Sequence, residues 1–142
     1  MSTTMATKIR TYGEMIRFDM FEDRFEYLKL EGVVGRSTFG FDREINQRFY
    51  RSREWKSIRD FVIVRDNGCD LGVPGYEIHA NLLIHHINPI SITDLVGGLH
   101  WILDPEYLVT TSHDTHNAIH YGDRSLLRVQ YVERSPGDTT LW

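Results

Sequence analysis

Phe21, Phe25 and Leu28 recur at i, i+4 and i+7, which places three large apolar side chains on one face of a helix predicted over residues 20–30. Asp19 and Glu22 stand three apart at its start, the spacing of a capping box. Glycines at 32, 35 and 40 end the pattern. A second helix is predicted over 42–50. Ser52 is placed to cap a third over 53–65, with Trp55, Ile58, Val62 and Ile63 on its buried side. Asn67-Gly68 and Gly72-Val73-Pro74-Gly75 are turn signals. They separate this helical half from a C-terminal half of different rhythm.

In that second half, Leu82-Leu83-Ile84 is a short apolar run leading into His85-His86, read as a strand that Asn88-Pro89 ends. A loop with a short helix near 93–97 follows. Leu108-Val109-Thr110-Thr111 is a second strand. Ser112 is placed to cap a helix over 113–121, and Gly122 to terminate it. A further strand is read at 127–132, before loose terminal residues. The polar first ten residues are expected to fray. The fold class is therefore α+β, a helical N-terminal region followed by a strand–strand–helix unit.

Composition narrows the picture in a few places. The 142 residues fit one domain with a modest core, and the apolar and charged shares, 41% and 25%, are those of a soluble globular chain. A net charge of −4 excludes a general attraction to nucleic acid, so any such binding must use local patches. Residues 43–65 supply one: Arg43, Arg48, Arg51, Arg53, Lys56, Arg59 and Arg65 outnumber Glu44, Glu54 and Asp60. This is the best phosphate-contacting face in the chain, although a merely solvated helix face would look the same. The single cysteine, Cys69, excludes an intramolecular disulfide and a cysteine-only zinc site. No apolar run is long enough to span a membrane and no secretory core opens the chain, so the expected location is cytoplasmic.

Four of the seven histidines fall in a pattern. Adjacent strand residues project to opposite faces, so His85 and His86 have different targets, and one can bind a metal while the other does not. His116 and His120 are four apart on a predicted helix and share a face, so two imidazoles can grip one ion. A strand pair followed by such a helix can bring His85 to the same ion. Three imidazoles leave coordination positions open for water or a phosphate oxygen. Histidine also suits base chemistry near neutral pH. A lone His-His pair or a lone His-x-x-x-His is weak evidence. Their order along strand, loop, strand and helix is what carries weight.

Leu83-Ile84-His85-His86-Ile87-Asn88-Pro89, then Asp104-Pro105-Glu106-Tyr107-Leu108-Val109-Thr110, then His116-Asn117-Ala118-Ile119-His120 resemble the HNH (ββα-metal) endonuclease signature. Arg65-Asp66-Asn67-Gly68-Cys69-Asp70-Leu71-Gly72 resembles that family's entry segment. The N-terminal region, with Phe39-Gly40-Phe41-Asp42-Arg43 and Phe49-Tyr50-Arg51-Ser52-Arg53-Glu54-Trp55, is similar to small HNH-like proteins of tailed bacteriophages and prophages. The resemblance implies one domain over 1–142: a helical extension at 1–54, an HNH-like core at 55–123 and a tail at 124–142. It implies that His85, His116 and His120 hold one divalent metal ion and that His86 is the general base. An all-histidine ligand set resembles the colicin-type branch of the family. Three imidazoles suit Zn, Ni or Co, and Mg or Mn with water completing the shell is also compatible. The implied activity is metal-dependent hydrolysis of DNA phosphodiesters that leaves a 5′ phosphate, with a base titrating within about a unit of 6.5. DNA is then the partner, held through Arg51, Arg53 and Arg59. Phage packaging or virion proteins come into range as further partners, and no membrane is expected.

The chain departs from the family pattern twice. Many relatives hold a structural zinc with two Cys-x-x-Cys pairs. The matching positions here are Cys69, Gly72, Ser112 and Thr115, so no such zinc is expected and hydrogen bonds and packing must replace it. The family's middle asparagine, which ties the loop after the base to the second strand, is replaced by Tyr107. That substitution keeps an alternative open: a catalytically silent HNH scaffold that binds nucleic acid or acts in phage assembly. A metal-stabilised interaction module is a third reading. His79, His100 and His113 receive no catalytic role, and Asp123 is read as a solvated turn residue.

Overall fold

A computed structural model describes residues 9–30, 43–90 and 100–127. The readings at 93–97, 128–132, the first eight residues and the glycines at 32, 35 and 40 lie outside them. The described residues form an α+β fold with five α-helices and one two-stranded antiparallel sheet: α1 (Tyr12–Met15), α2 (Phe21–Leu28), α3 (Arg43–Arg51), α4 (Arg53–Arg65), β1 (Leu82–His86), β2 (Leu108–Ser112) and α5 (His113–Tyr121). None of the described helices is long and apolar enough to cross a membrane.

The local signals act mostly as expected. The Ser52 hydroxyl accepts from the Trp55 amide at the start of α4, and the Ser112 hydroxyl accepts from the Thr115 amide at the start of α5. Gly122 ends α5 in the left-handed conformation, φ 62°, where a β-carbon would also collide with the Leu30 carbonyl oxygen. Asp19 is a correction. α2 begins after Met20, which supplies no side-chain cap, so the capping box does not form.

Register decides what each strand residue faces. His85 pairs with Val109 and His86 with Leu108, and paired residues project to the same side of the sheet. On one side, Val109 joins a core of Met15, Phe21, Phe25 and Leu28 from α1 and α2, Ala118 and Ile119 from α5, Leu71 from the turn at 70–72 and Ile87 just after β1. On the other, Leu108 packs with Trp55 and Val62 of α4, and Ile84 and Phe49 lie against them. The helices of the N-terminal region are thus divided between the two faces of the sheet.

A two-stranded sheet has two open edges, and unpaired backbone groups there need partners. Side chains at the end of α4 and just after it close the outer edge of β2. Arg65 Nη2 donates to the Leu108 carbonyl at 2.8 Å. The Thr110 amide donates to Asp66 Oδ2 at 2.9 Å, and the Ser112 amide to Asp70 Oδ1 at 3.0 Å. Arg65 therefore leaves the basic face on which the sequence placed it. Its guanidinium also bonds the Pro105 carbonyl and lies 3.5 Å from the centre of the Tyr12 ring.

Candidate metal centre and its flanking histidine

β1 delivers His85 to the face covered by α5, and the helical spacing delivers His116 and His120 to the same point. One ligand atom from each of the three lies within 4.8 Å of the other two. The His85 ring stands edge-on to both others, with centroids 5.2 Å away in each case, so the imidazoles converge from separate directions. His116 Nε2 and His120 Nε2 are 3.2 Å apart. Two nitrogens bound to one tetrahedral ion at about 2.05 Å would be about 3.3 Å apart, so this pair already has ligand spacing.

His85 is 1% exposed, and among the described residues neither of its ring nitrogens has a hydrogen-bond partner. A buried polar atom left unpaired costs roughly 1–3 kcal/mol. Coordination to a cation would satisfy one of these atoms, so the donor set fits a metal. Charge state points the same way. Burial, then the neighbouring His116 and His120, hold the His85 pKa well below the ordinary histidine value. Burial and then His120 and His113 lower that of His116 to about 4. Both rings therefore offer lone pairs at neutral pH.

His86 faces the other way, as strand alternation requires. Its ring stacks on Trp55, with centroids 5.2 Å apart and planes at 19°, and Phe49 and Tyr50 approach to 6.3 Å each. Nε2 lies 3.2 Å from the Ile102 carbonyl oxygen. A carbonyl only accepts, so Nε2 carries the proton of the neutral ring and Nδ1 keeps its lone pair. Burial lowers the His86 pKa to about 4, with the Ile102 bond opposing the shift. This corrects the expectation of titration near 6.5.

The remaining sequence candidates separate clearly. Arg51 and Arg53 are exposed at the α3–α4 corner, and Arg59 pairs with Asp60 at 3.3 Å on the surface. His113 is exposed, and Asp123 caps a short turn by accepting from Ser125, as a solvated turn residue would. Tyr107 is half-buried, edge-on to Trp101 at 6.2 Å, and among the described residues its hydroxyl makes no hydrogen bond. Its backbone carbonyl, however, accepts from the Ile87 amide at 2.9 Å. That bond extends the β1–β2 ladder by one residue pair beyond His86–Leu108.

Sequence reasoning missed Asp70. It is fully buried between the turn after α4 and the β2–α5 junction. Oδ2 accepts from the Ser112 hydroxyl at 2.9 Å and the Thr115 hydroxyl at 2.6 Å, besides the Ser112 amide bond to Oδ1. Cys69 beside it is buried, and its thiol fills space there as a small apolar side chain does. The signal was available: Ser112 and Thr115, two hydroxyls at the start of a helix, need an acceptor when buried, and an aspartate stands next to Cys69. Asn88 was also missed. Its amide donates to the Arg10 carbonyl at 2.9 Å and accepts from the Arg10 amide at 2.8 Å, clamping the N-terminal segment to the loop after His86. Comparison of the chain with family models, curated proteins and solved structures gives no match.

Proposed function

We propose that the chain is a metal-dependent DNA endonuclease of the ββα-metal (HNH) kind, in which His85, His116 and His120 hold one divalent ion and His86 is the general base. The observation that carries this reading is the convergence of three imidazoles, one of them buried without a partner, beside a fourth held as a neutral base. A bound ion would stabilise charge on the scissile phosphate and on the departing 3′ oxygen. The residues supply the remainder. Nδ1 of His86 takes a proton from water as its oxygen bonds to phosphorus and the bond to the 3′ oxygen breaks. The Ile102 carbonyl and the Trp55 face fix the ring while this happens, and the carbonyl stabilises the imidazolium that forms. Arg51 and Arg53, exposed at the α3–α4 corner, and Arg59 on α4 are the side chains proposed to contact backbone phosphates.

Nicking of supercoiled plasmid with Mg, Mn, Zn and Ni in turn tests the reading, alongside calorimetry of each metal. Wild type is expected to nick with at least one of them. His86→Ala should cut at least about a hundredfold more slowly and bind metal as before. An unchanged rate in that variant would remove His86 from the chemistry. The silent-scaffold reading is favoured by one observation, the tyrosine at 107, whose hydroxyl has no hydrogen-bond partner among the described residues, where the HNH signature has an asparagine. Metal binding without cleavage under any of these conditions would select it.

A further inference from the structure

Tyr50 is 39% exposed, yet its ring is tied into the cluster around His86. It meets Phe49 edge-on at 4.9 Å, Trp55 edge-on at 5.1 Å and His86 at 6.3 Å. Trp55, beneath it, is only 5% exposed. An exposed aromatic residue is ordinary by itself. This one is the outer layer of a packed group whose inner layer is the Trp55–His86 stack. The corner carrying it is pinned, because the Ser52 hydroxyl donates to the Phe49 carbonyl at 2.7 Å while capping α4. Arg51 and Arg53, both exposed, flank that corner. A packed ring partly exposed to solvent, two adjacent exposed cations and a nearby imidazole together match the chemistry that grips a single strand: a nucleobase stacks on the ring and its phosphates meet the guanidiniums. Bases inside a duplex are already stacked on both faces, so such a contact requires an unpaired or extruded base.

We propose that Tyr50 is a nucleobase-stacking residue that directs the chain to single-stranded or locally unpaired DNA next to His86. The location of the cut rests on the nuclease reading, whereas the stacking contact does not. The test uses a fluorescein-labelled thymidine oligonucleotide, with or without one central abasic position, titrated with protein in EDTA so that no strand is cut. Wild type should bind the intact strand about five- to a hundredfold more tightly than the abasic one. Tyr50→Phe should keep that ratio, and Tyr50→Leu, with similar bulk and no π-face, should bring it close to one. Equal wild-type affinities, undiminished discrimination in Tyr50→Leu, or no binding of either strand would overturn the proposal. Discrimination without cleavage in a parallel metal-supplemented assay would support the stacking contact and count against the nuclease. Cleavage without discrimination would do the reverse.

Discussion

Two buried polar clusters share α5, and they are built on opposite terms. Thr115 in its first turn belongs to the Asp70 cluster, where a carboxylate meets two hydroxyls and an amide. One residue later His116 belongs to the other cluster, where three imidazoles converge and His85 has nothing to bond. The first is closed: its donors and acceptors match and no ligand is needed. It cross-links the turn at Asp70–Gly72 to the β2–α5 junction, and it does so although Leu71 sits at φ 54°, a conformation unfavourable for a bulky residue. The second is open, because the two ring nitrogens of His85 find no hydrogen-bond partner among the described residues beside the His116–His120 pair. Polar burial that is satisfied within the chain reads as structure, and polar burial that is not reads as a binding site.

The largest effect expected is on stability, from the closed cluster. Asp70→Ala strips the acceptor from two hydroxyls and an amide, which should cost at least about 3 kcal/mol and lower Tm by roughly 10 °C in a domain of this size. Thermal melts check this, and a shift under a degree or two would mean that the cluster is not the cross-link. Next, His116→Ala and His120→Ala should each weaken metal binding by about a hundredfold or more by calorimetry, since even indirect ligand supports are worth 10–100-fold. Unchanged affinity in both would place the ion elsewhere.

A smaller effect separates the clusters by sign. In EDTA, His85→Leu replaces two unpaired nitrogens with apolar volume, so Tm should hold or rise by a few degrees, in contrast to Asp70→Ala. The same logic sets a pH dependence. The pKa values of His85, His86 and His116 are lowered in the folded state. The unfolded chain therefore binds more protons as pH falls below about 6.5. Stability of the metal-free protein should be intact above that value and decline as pH drops toward about 4, with a shallower decline in His85→Leu. A Tm independent of pH across this window would show that the rings are not held neutral by burial.

Periodicity and caps made much of this legible. α4 with its Ser52 cap, the strand before His85, β2, and α5 between Ser112 and Gly122 all follow from short-range rules, and alternation alone sent His85 and His86 to opposite faces. What stayed hidden was side-chain bonding over long separations. Arg65, Asp66 and Asp70 look like solvated charges near a turn, yet they close the edge of a strand more than 40 residues away. Arg24, an apparently exposed helix cation, is buried and donates to the Phe18 and Leu71 carbonyls. No local pattern marks such partners, because the need they meet belongs to a different segment. The environment of His86 was hidden for the same reason, since Trp55 and Ile102 reach it from elsewhere in the chain.

The smallest effect expected is at Tyr107, although the sequence makes it the most conspicuous departure from the HNH signature it resembles. An asparagine there would tie the loop after His86 to the second strand through its amide. Here the Ile87 amide already donates to the Tyr107 carbonyl, a bond that any side chain at 107 preserves. Asn88 adds a second restraint by clamping Arg10 through both ends of its amide. The ring of Tyr107 packs edge-on against Trp101, and an edge-to-face pair contributes about 0.5–1.5 kcal/mol. Tyr107→Asn should therefore lower Tm by a few degrees, leave metal affinity unchanged and alter single-turnover cleavage by less than about tenfold. A gain near a hundredfold, the scale on which small misplacements of a base are felt, would mean that the main-chain tie does not hold His86 in line and that the missing amide does. The comparison between the clusters would survive that result, because neither includes Tyr107. The placement of the base would not.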